Sequence, residues 1–327
     1  MRIGLDQFTL HPYDNPDPFF AIQWVLEQKL QGVQFGGMRN LSANLDLGKL
    51  REIDAECARN GLYCLGSVSS PNPYIGLKER NPDDVVADLT EQIEAAAAMG
   101  WRELHTTMGG LDERLCTDPP WNQYRQATTD VLRRLRPVLK TNGCRINLED
   151  HGDVTTFELV RMVQQVGPDV TGICLDTANV LCHAEDPLEA ARRAAPYVHQ
   201  THIKDAIIYF TDNGYTRQGR PPGQGVIPWA EVLTTLAAFK PDLCLSIEDH
   251  KWQWEFRIFD ADWLALHPDI TPAELGKVCR TAWEVTQRIA QGKLPEPEAY
   301  EQIPFAEQII ERVRFGRDHL RDVLKAM

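Results

Sequence analysis

Apolar positions along this chain fall into two alternating kinds of run. Short apolar runs occur near Arg2–Asp6, Gly32–Gly36, Tyr63–Val68, Glu103–Thr107, Arg145–Glu149, Thr171–Asp176, Gln200–Lys204 and Cys244–Glu248. Runs this short, bounded by turn residues, read as buried strands. Between them apolar residues recur at helical spacing, as in the stripe Val85, Val86, Leu89, Ile93, Ala96 and Ala97. Several helices open on a capping residue followed by proline: Asp17-Pro18, Asn81-Pro82, Asp186-Pro187 and Thr271-Pro272. Proline suits that position because its missing N–H has no helical partner to lose. Glu189 and Glu274 follow the last two caps by three residues, the spacing of a capping box. Gly61, Gly100, Gly143, Gly167 and Gly292 mark helix ends. Eight strands alternating with helices predict an α/β fold, a (β/α)8 TIM barrel. A doubly wound sheet is the weaker reading, because no glycine-rich phosphate turn follows the first strand.

Joint lengths indicate which end of the barrel works. Helix-to-strand joints are terse, with Asn60-Gly61, Gly100 and Asn142-Gly143 nearly sufficing. Strand-to-helix joints are long: Gln7–Pro16, Ser69–Asn81, Thr107–Pro119, Ala206–Pro228 and Asp249–Ile270. Long excursions confined to one rim predict a functional face carried by a rigid scaffold. The barrel is expected over residues 1–292. Residues 293–327 hold a proline-broken link, KLPEPEAYEQ, and a final helix near Pro304–Lys325. Phe305, Ile309, Ile310, Val313, Leu320, Val323 and Leu324 give that helix an apolar stripe, expected to pack on the barrel or on a second subunit. A homo-oligomer is expected, symmetric dimers being the commonest kind.

Composition narrows the partners. With 47 acidic residues against 34 basic ones the formal charge is −13, which argues against capture of nucleic acid or of an anionic membrane. The opening MRIGLDQFTL has no apolar core of a signal peptide, and no apolar run reaches the length of a membrane span. The eight cysteines form no C-x-x-C pair, and Cys64, Cys144, Cys174 and Cys244 sit inside apolar runs. A reduced, cytoplasmic protein is the expectation.

Chemistry gathers at four strand ends. Glu149 ends the fifth strand (NLEDH), Asp176 the sixth (CLDTAN), His202 lies near the end of the seventh (THIKD), and Glu248 ends the eighth (LSIEDH). Taken singly, each acid reads as an ordinary strand-end polar residue. In register on consecutive strands they read as a metal site, because carboxylates buried together need a cation. Three carboxylates and one imidazole favour one divalent ion, Mn²⁺ foremost, with Mg²⁺, Co²⁺ or Zn²⁺ able to serve.

Those residues resemble the metal constellation of the xylose isomerase-like TIM-barrel superfamily. That group includes sugar phosphate isomerases/epimerases, ketose 3-epimerases, inosose isomerases and dehydratases, and endonuclease IV. The resemblance runs from Arg2 to Glu248 and is strongest in NLEDHGD, LDTANV, THIKD, GQGVIPW and SIEDH. It implies one ion held by Glu149, Asp176, His202 and Glu248, with Glu149 and Glu248 doubling as acid/base groups. The implied activity is isomerisation or epimerisation of a small sugar, keto-sugar or cyclic polyol through a metal-stabilised enediolate. Two departures qualify it. Asn179 stands where the ketose 3-epimerases usually have His, and Lys204 after His202 is closer to the inositol-catabolism branch. THIKDA followed by RPPGQGVIPW also resembles the large subunits of C-glycoside deglycosidases, which act on 3-keto glycosides. The alternative is therefore a keto-sugar lyase, either a dehydratase or a C-glycoside-cleaving subunit with a small partner subunit.

Further candidates surround the four ligands. If the strands continue, His151 and Lys204 keep the facing of Glu149 and His202, as proton shuttle and oxyanion donor, or else as a surface His and a Lys paired with Asp205. His105, Asn179, Arg217, Arg220 and Trp252 are candidate substrate contacts, the two arginines being placed in a glycine- and proline-rich loop. In KWQWEFRIFDADW, Trp252, Trp254, Phe256, Phe259 and Trp263 crowd one excursion as substrate wall, interface or lid. An abasic-site endonuclease would need more metal-binding histidines and a basic track, against nine scattered His and net charge −13. A sugar-binding barrel without catalysis is disfavoured by the presence of all four ligands.

Overall fold

The computed structural model describes residues 1–14 and 17–327. Eleven strands run in chain order: β1 (Arg2–Asp6), β2 (Gly32–Gly37), β3 (Tyr63–Ser67), β4 (Glu103–Thr106), β5 (Arg145–Glu149), β6 (Thr171–Asp176), β7 (Val198–Ile203), β8 (Asp205–Phe210), β9 (Tyr215–Arg220), β10 (Cys244–Ile247) and β11 (Gln253–Phe256). Eight of them close a barrel in the order β1-β10-β7-β6-β5-β4-β3-β2, every pairing parallel. The fold is a (β/α)8 TIM barrel with additional C-terminal helices. The first long excursion ends at residues 15–16, which lie outside the described residues; its earlier part forms a 3₁₀ turn, Gln7–Tyr13.

The barrel lumen is filled by side chains that cross from strand to strand. Tyr63 reaches across to Ser246, hydroxyl to hydroxyl at 3.0 Å. Its ring occupies the space where Gly4 and Gly32 carry no Cβ. Asn147 donates to Glu103 and to Gln200, each at 2.9 Å, so the polar groups of this layer pair with one another. Cysteines behave as small core or near-core residues, all eight free.

All four Pro-preceding caps form, with Asp17, Asn81, Asp186 and Thr271 each accepting a backbone N–H of its own first turn. The expected reciprocal half of the capping box fails at Asp186. Its N–H donates instead to Glu274 of another helix at 3.1 Å, while Glu189 pairs with Arg192 and Lys277. Glu274 is drawn away by Arg193, whose guanidinium holds both its oxygens. A full capping box forms at Thr155 and Glu158.

The largest correction concerns the last two long excursions. They are not plain loops. β8, β9 and β11 form an antiparallel sheet in the order β11-β9-β8, standing on the rim beside β7 and β10. Arg217 and Arg220 are therefore strand residues. Asp205 opens β8 and accepts the N–H groups of Ala206, Gly223, Gly225 and Ile227 and the indole of Trp229, which winds the GQGVIPW turn around one carboxylate. The final helix, Phe305–Ala326, buries Ile309, Val313 and Leu320 and contacts β1, β10 and the helix Trp229–Ala237.

Candidate functional site

Four consecutive staves of the barrel bring the four ligand candidates together at the C-terminal rim. Asp176 and His202 are direct register partners, and His202 also pairs with Ser246, two residues before Glu248. Ligand atoms of Glu149, Asp176, His202 and Glu248 all lie within 4.8 Å of one another. His202 is the hub. Its Nδ1 faces Glu248 Oε2 at 2.7 Å and Glu149 Oε1 at 3.2 Å. Its Nε2 lies 2.6 Å from the Gln34 amide and 3.3 Å from Asp6 Oδ2. Gln34 has a buried, unpartnered Oε1, so turning that amide over lets Oε1 accept Nε2–H. That tautomer leaves Nδ1 free to ligate.

Glu149 Oε1, His202 Nδ1 and Glu248 Oε2 are buried and face one another with no hydrogen-bond partner outside the set, and Asp176 Oδ2 beside them meets the Lys204 ammonium at 2.7 Å. One buried atom from each of four neighbouring side chains, three of them carboxylates, fits a divalent cation, because acidic groups held this close together call for positive charge. A softer set, His105, Cys174 and His202, also converges. Burial pushes the Cys174 thiol up to about 12, so it stays protonated and the carboxylate set is the better cage.

Electrostatics point the same way. Burial opposes the ionisation of Glu248, yet Lys204 and His202 outweigh it and hold the carboxyl below its usual range. Burial likewise opposes Glu149, and the His202 and His151 rings with the His105 hydrogen bond overcome it. Asp176 goes the other way: burial and the Glu248 and Glu149 charges raise it against the pull of Lys204. His202 gathers a proton despite burial, with Cys174, Glu149, Glu248 and Asp6 around it. Four carboxylates, Asp6 included, thus outnumber two basic groups, the excess a divalent ion would neutralise.

The neighbours expected around this set divide into two groups. Lys204 reaches it, 2.7 Å from Asp176 Oδ2 and 3.0 Å from Glu248 Oε1, and so does not pair with Asp205. His105 donates to Glu149 Oε2 at 2.8 Å and touches Ser67 Oγ at 2.9 Å. His151 stands at the rim with Nδ1 on Gly109 O, 2.9 Å, and lines both cavities at the mouth. β5 and β7 end before His151 and Lys204, so position in the loops, not strand alternation, places them. Asn179 gives its backbone N–H to Asp176 Oδ1 and lines the smaller cavity with Trp252. Arg217 and Arg220 line neither cavity. Arg217 donates to Ala178 O behind the site, and Arg220 stacks on Tyr300 at 3.5 Å. Sequence reasoning missed Asp6, Gln34 and Asp150, the last accepting the Asp176 N–H at 2.8 Å. Asp6 carried a signal, since it ends an apolar strand just as the candidate ligands do.

The larger cavity, about 650 Å³, spreads over the ligand group between Asp6, Gln7, His105, His151 and Glu248. The profile of the xylose isomerase-like TIM barrel matches residues 22–264. The chain belongs to that family. Among curated members of wider kinship, the uncharacterized protein YihM of Escherichia coli K12 is 31% identical over 108 residues, 33% of each chain. Inosose dehydratase 1 of Bacillus cereus is 24% identical over 177 residues, 47% of this chain and 56% of that one. The chain thus spans between a third and just over half of these relatives. Two solved structures share the fold. The 3-keto-D-glucoside 4-epimerase YcjR of E. coli superposes with TM-score 0.58 at 16% identity, covering 83% of this chain and all of that one. A xylose isomerase-like TIM barrel protein of Mycobacterium smegmatis, in complex with magnesium, gives TM-score 0.58 at 18% identity over 86% of this chain and 97% of that one.

Proposed function

We propose that this family member is a divalent-metal-dependent isomerase or epimerase of a small sugar, keto-sugar or cyclic polyol. The observation that carries the reading is the convergence of four buried ligand atoms under an open cleft. Glu149, Asp176, His202 and Glu248 would hold the ion, Mn²⁺ being the first choice from the donor set. When bound, the ion supplies positive charge to substrate oxygens as negative charge develops beside a carbonyl. The chain's own part is proton handling. Glu248 Oε1 is held by Lys204 and Glu149 Oε2 by His105, so the two carboxylates are steadied by different partners. A proton taken up at one can be returned from the other. The ammonium of Lys204, an acid inside the site, favours a second reading, elimination of water or of an aglycone β to the carbonyl. The inosose dehydratase match lends that reading support.

Elemental analysis should find close to one Mn²⁺, Mg²⁺, Co²⁺ or Zn²⁺ per chain, removable by chelator. Undiminished metal in Asp176→Ala with His202→Ala overturns the ligand set. Proton NMR in deuterated water with candidate keto-sugars and inososes then tests the reaction. Exchange with an isomeric product supports epimerisation, a dehydrated or cleaved product supports elimination, and no exchange into any of them defeats both. The same proposal keeps residues 1–292 as the barrel, 293–327 as its extension and the cytoplasm as its place. It also keeps a homo-oligomer, on the exposed Ile310 and Phe315 of the final helix. A monomer by light scattering at micromolar concentration removes the oligomer.

A further inference from the structure

A second cavity of about 300 Å³ opens beside the ligand group and meets the larger cleft at Phe8, His151 and Glu248. The two differ in chemistry. Carboxylates, imidazoles and amides line the large cleft. Trp252, Trp254, Phe256 and Leu111 dominate the smaller one, which Lys204 also lines, with Glu248 at the junction. Its walls are flat π faces set at angles to each other. Trp252 and Trp254 meet edge to face at 5.8 Å, His250 lies 4.3 Å from Trp252, and Phe8 meets Trp252 at 5.7 Å. These rings do not fill the space between them. An apolar cavity of about 150 Å³ already takes benzene, so this chamber has room for one or two fused rings. Polar side chains, Lys204, Glu248, Asn179 and His151, interrupt this wall. A substrate made only of hydroxylated carbons gains little from the aromatic faces, because its hydroxyls would have no partners there.

We propose that the natural substrate is a sugar or cyclic polyol bearing a flat aromatic substituent, with the polyol in the large cleft and the aromatic ring in this chamber. The inference rests on the metal-centred site proposed above and names the substrate class it would take. An aromatic ring stacks against Trp252 and Trp254, and the link from ring to polyol crosses the junction beside His151 and Glu248. Whatever bond is remade then lies between Glu149 and Glu248, while the ring anchors the molecule from outside the reacting centre.

The test reads binding on metal-loaded full-length protein, so it does not depend on turnover. Binding of 2-naphthol is followed by titration calorimetry, then with 2-naphthyl and methyl β-D-glucosides and cellobiose as competitors. Saturable 2-naphthol binding, competed by the naphthyl glucoside at least about tenfold better than by the methyl glucoside or cellobiose, is expected. Leu111→Trp, which fills the chamber from its half-buried side, should weaken 2-naphthol about tenfold while metal content and thermal melting stay at parental values. If that variant misfolds, Trp252→Ala at a 43% exposed position serves in its place. Absence of saturable 2-naphthol binding overturns the proposal. So does undiminished binding by the folded variant, or competition by cellobiose as strong as by the naphthyl glucoside, which would mark a second sugar site. Binding of 2-naphthol together with no deuterium exchange into any keto-sugar sinks the proton-transfer reading alone.

Discussion

A single imidazole nitrogen sits between two carboxylates in this barrel, and its neighbour on the same ring is what keeps it there. His202 Nε2 is held by Gln34 and Asp6, so Nδ1 is presented to Glu149 and Glu248. Partners of this kind set the tautomer and angle of a ligating ring, and losing one typically costs about 10–100-fold in metal affinity. Gln34→Leu should show a loss of that order by competition with a chelator, with the fold intact by circular dichroism. Unchanged affinity would mean Asp6 alone orients the ring. Glu248 poses a different question. Glu248→Gln keeps an oxygen for the ion but removes the base, so it should retain much of the metal and slow deuterium exchange by roughly two to four powers of ten. If exchange is instead restored by excess Mn²⁺, Glu248 only ligates.

Elements explain what was and was not legible in the sequence. The eight barrel strands read clearly because a parallel strand buried on both faces is a continuous apolar run, and the four converging candidates stood out because charge at the end of such a run is conspicuous. β9 did not. YTRQGR is buried at every position, yet its polar residues are compensated by contacts far along the chain, such as Gln218 on Pro297 and Arg220 over Tyr300. No local periodicity records partners of that kind. Gln34 was invisible for the same reason. Close packing inside the barrel makes its own prediction. A Cβ at Gly32 would overlap the Tyr63 ring, and overpacking typically costs about 1–3 kcal/mol. Gly32→Ala should lower stability by that amount in urea unfolding, and a second change, Tyr63→Leu, should relieve part of it. The excursion after β10 carries a pH signature. His267 gives Nδ1–H to Trp263 O at 2.8 Å and its Nε2 faces His183 Nδ1 at 3.0 Å, so no site is left for a second proton. Burial and the Arg114 charge push His267 down to about 4, below the ordinary 6.5. Between those values the unfolded chain binds the proton and the folded chain does not. Stability is therefore full above about pH 6.5 and falls as pH drops toward 4, by at most about 1.4 kcal/mol per unit for this group. Comparing melts of the parent and His267→Phe at neutral and acid pH isolates that slope; parallel curves would exclude it.

At the scale of the whole molecule, the C-terminal segment is a strap drawn over the working rim. Lys251, three residues past Glu248, donates to the carbonyls of Tyr300 and Ile303, and His11 stacks on Phe305 at 5.2 Å. The anchor is Arg312, which holds both oxygens of Asp249 at 2.7 and 2.6 Å with both partners buried. Asp249 directly follows Glu248, so the last helix and the ligand group share one stretch of backbone. Breaking one side of a buried pair leaves an unpaired charge and costs about 3–5 kcal/mol, whereas replacing both sides with neutral groups can cost far less. Arg312→Met should therefore lower urea stability by about that much. It should also loosen metal binding, because Glu248 loses its support from the C-terminal side. Asp249→Asn alone should cost less, since the amide still accepts from the guanidinium through its oxygen. The double variant should recover a large share of the Arg312→Met loss. Recovery of stability together with metal affinity would show that the strap acts through the charge it neutralises at Asp249. Recovery of stability without metal affinity would show that it acts by holding the backbone beside Glu248 in place. A single Arg312→Met variant as stable as the parent would remove the strap from the account of how this rim is kept in shape.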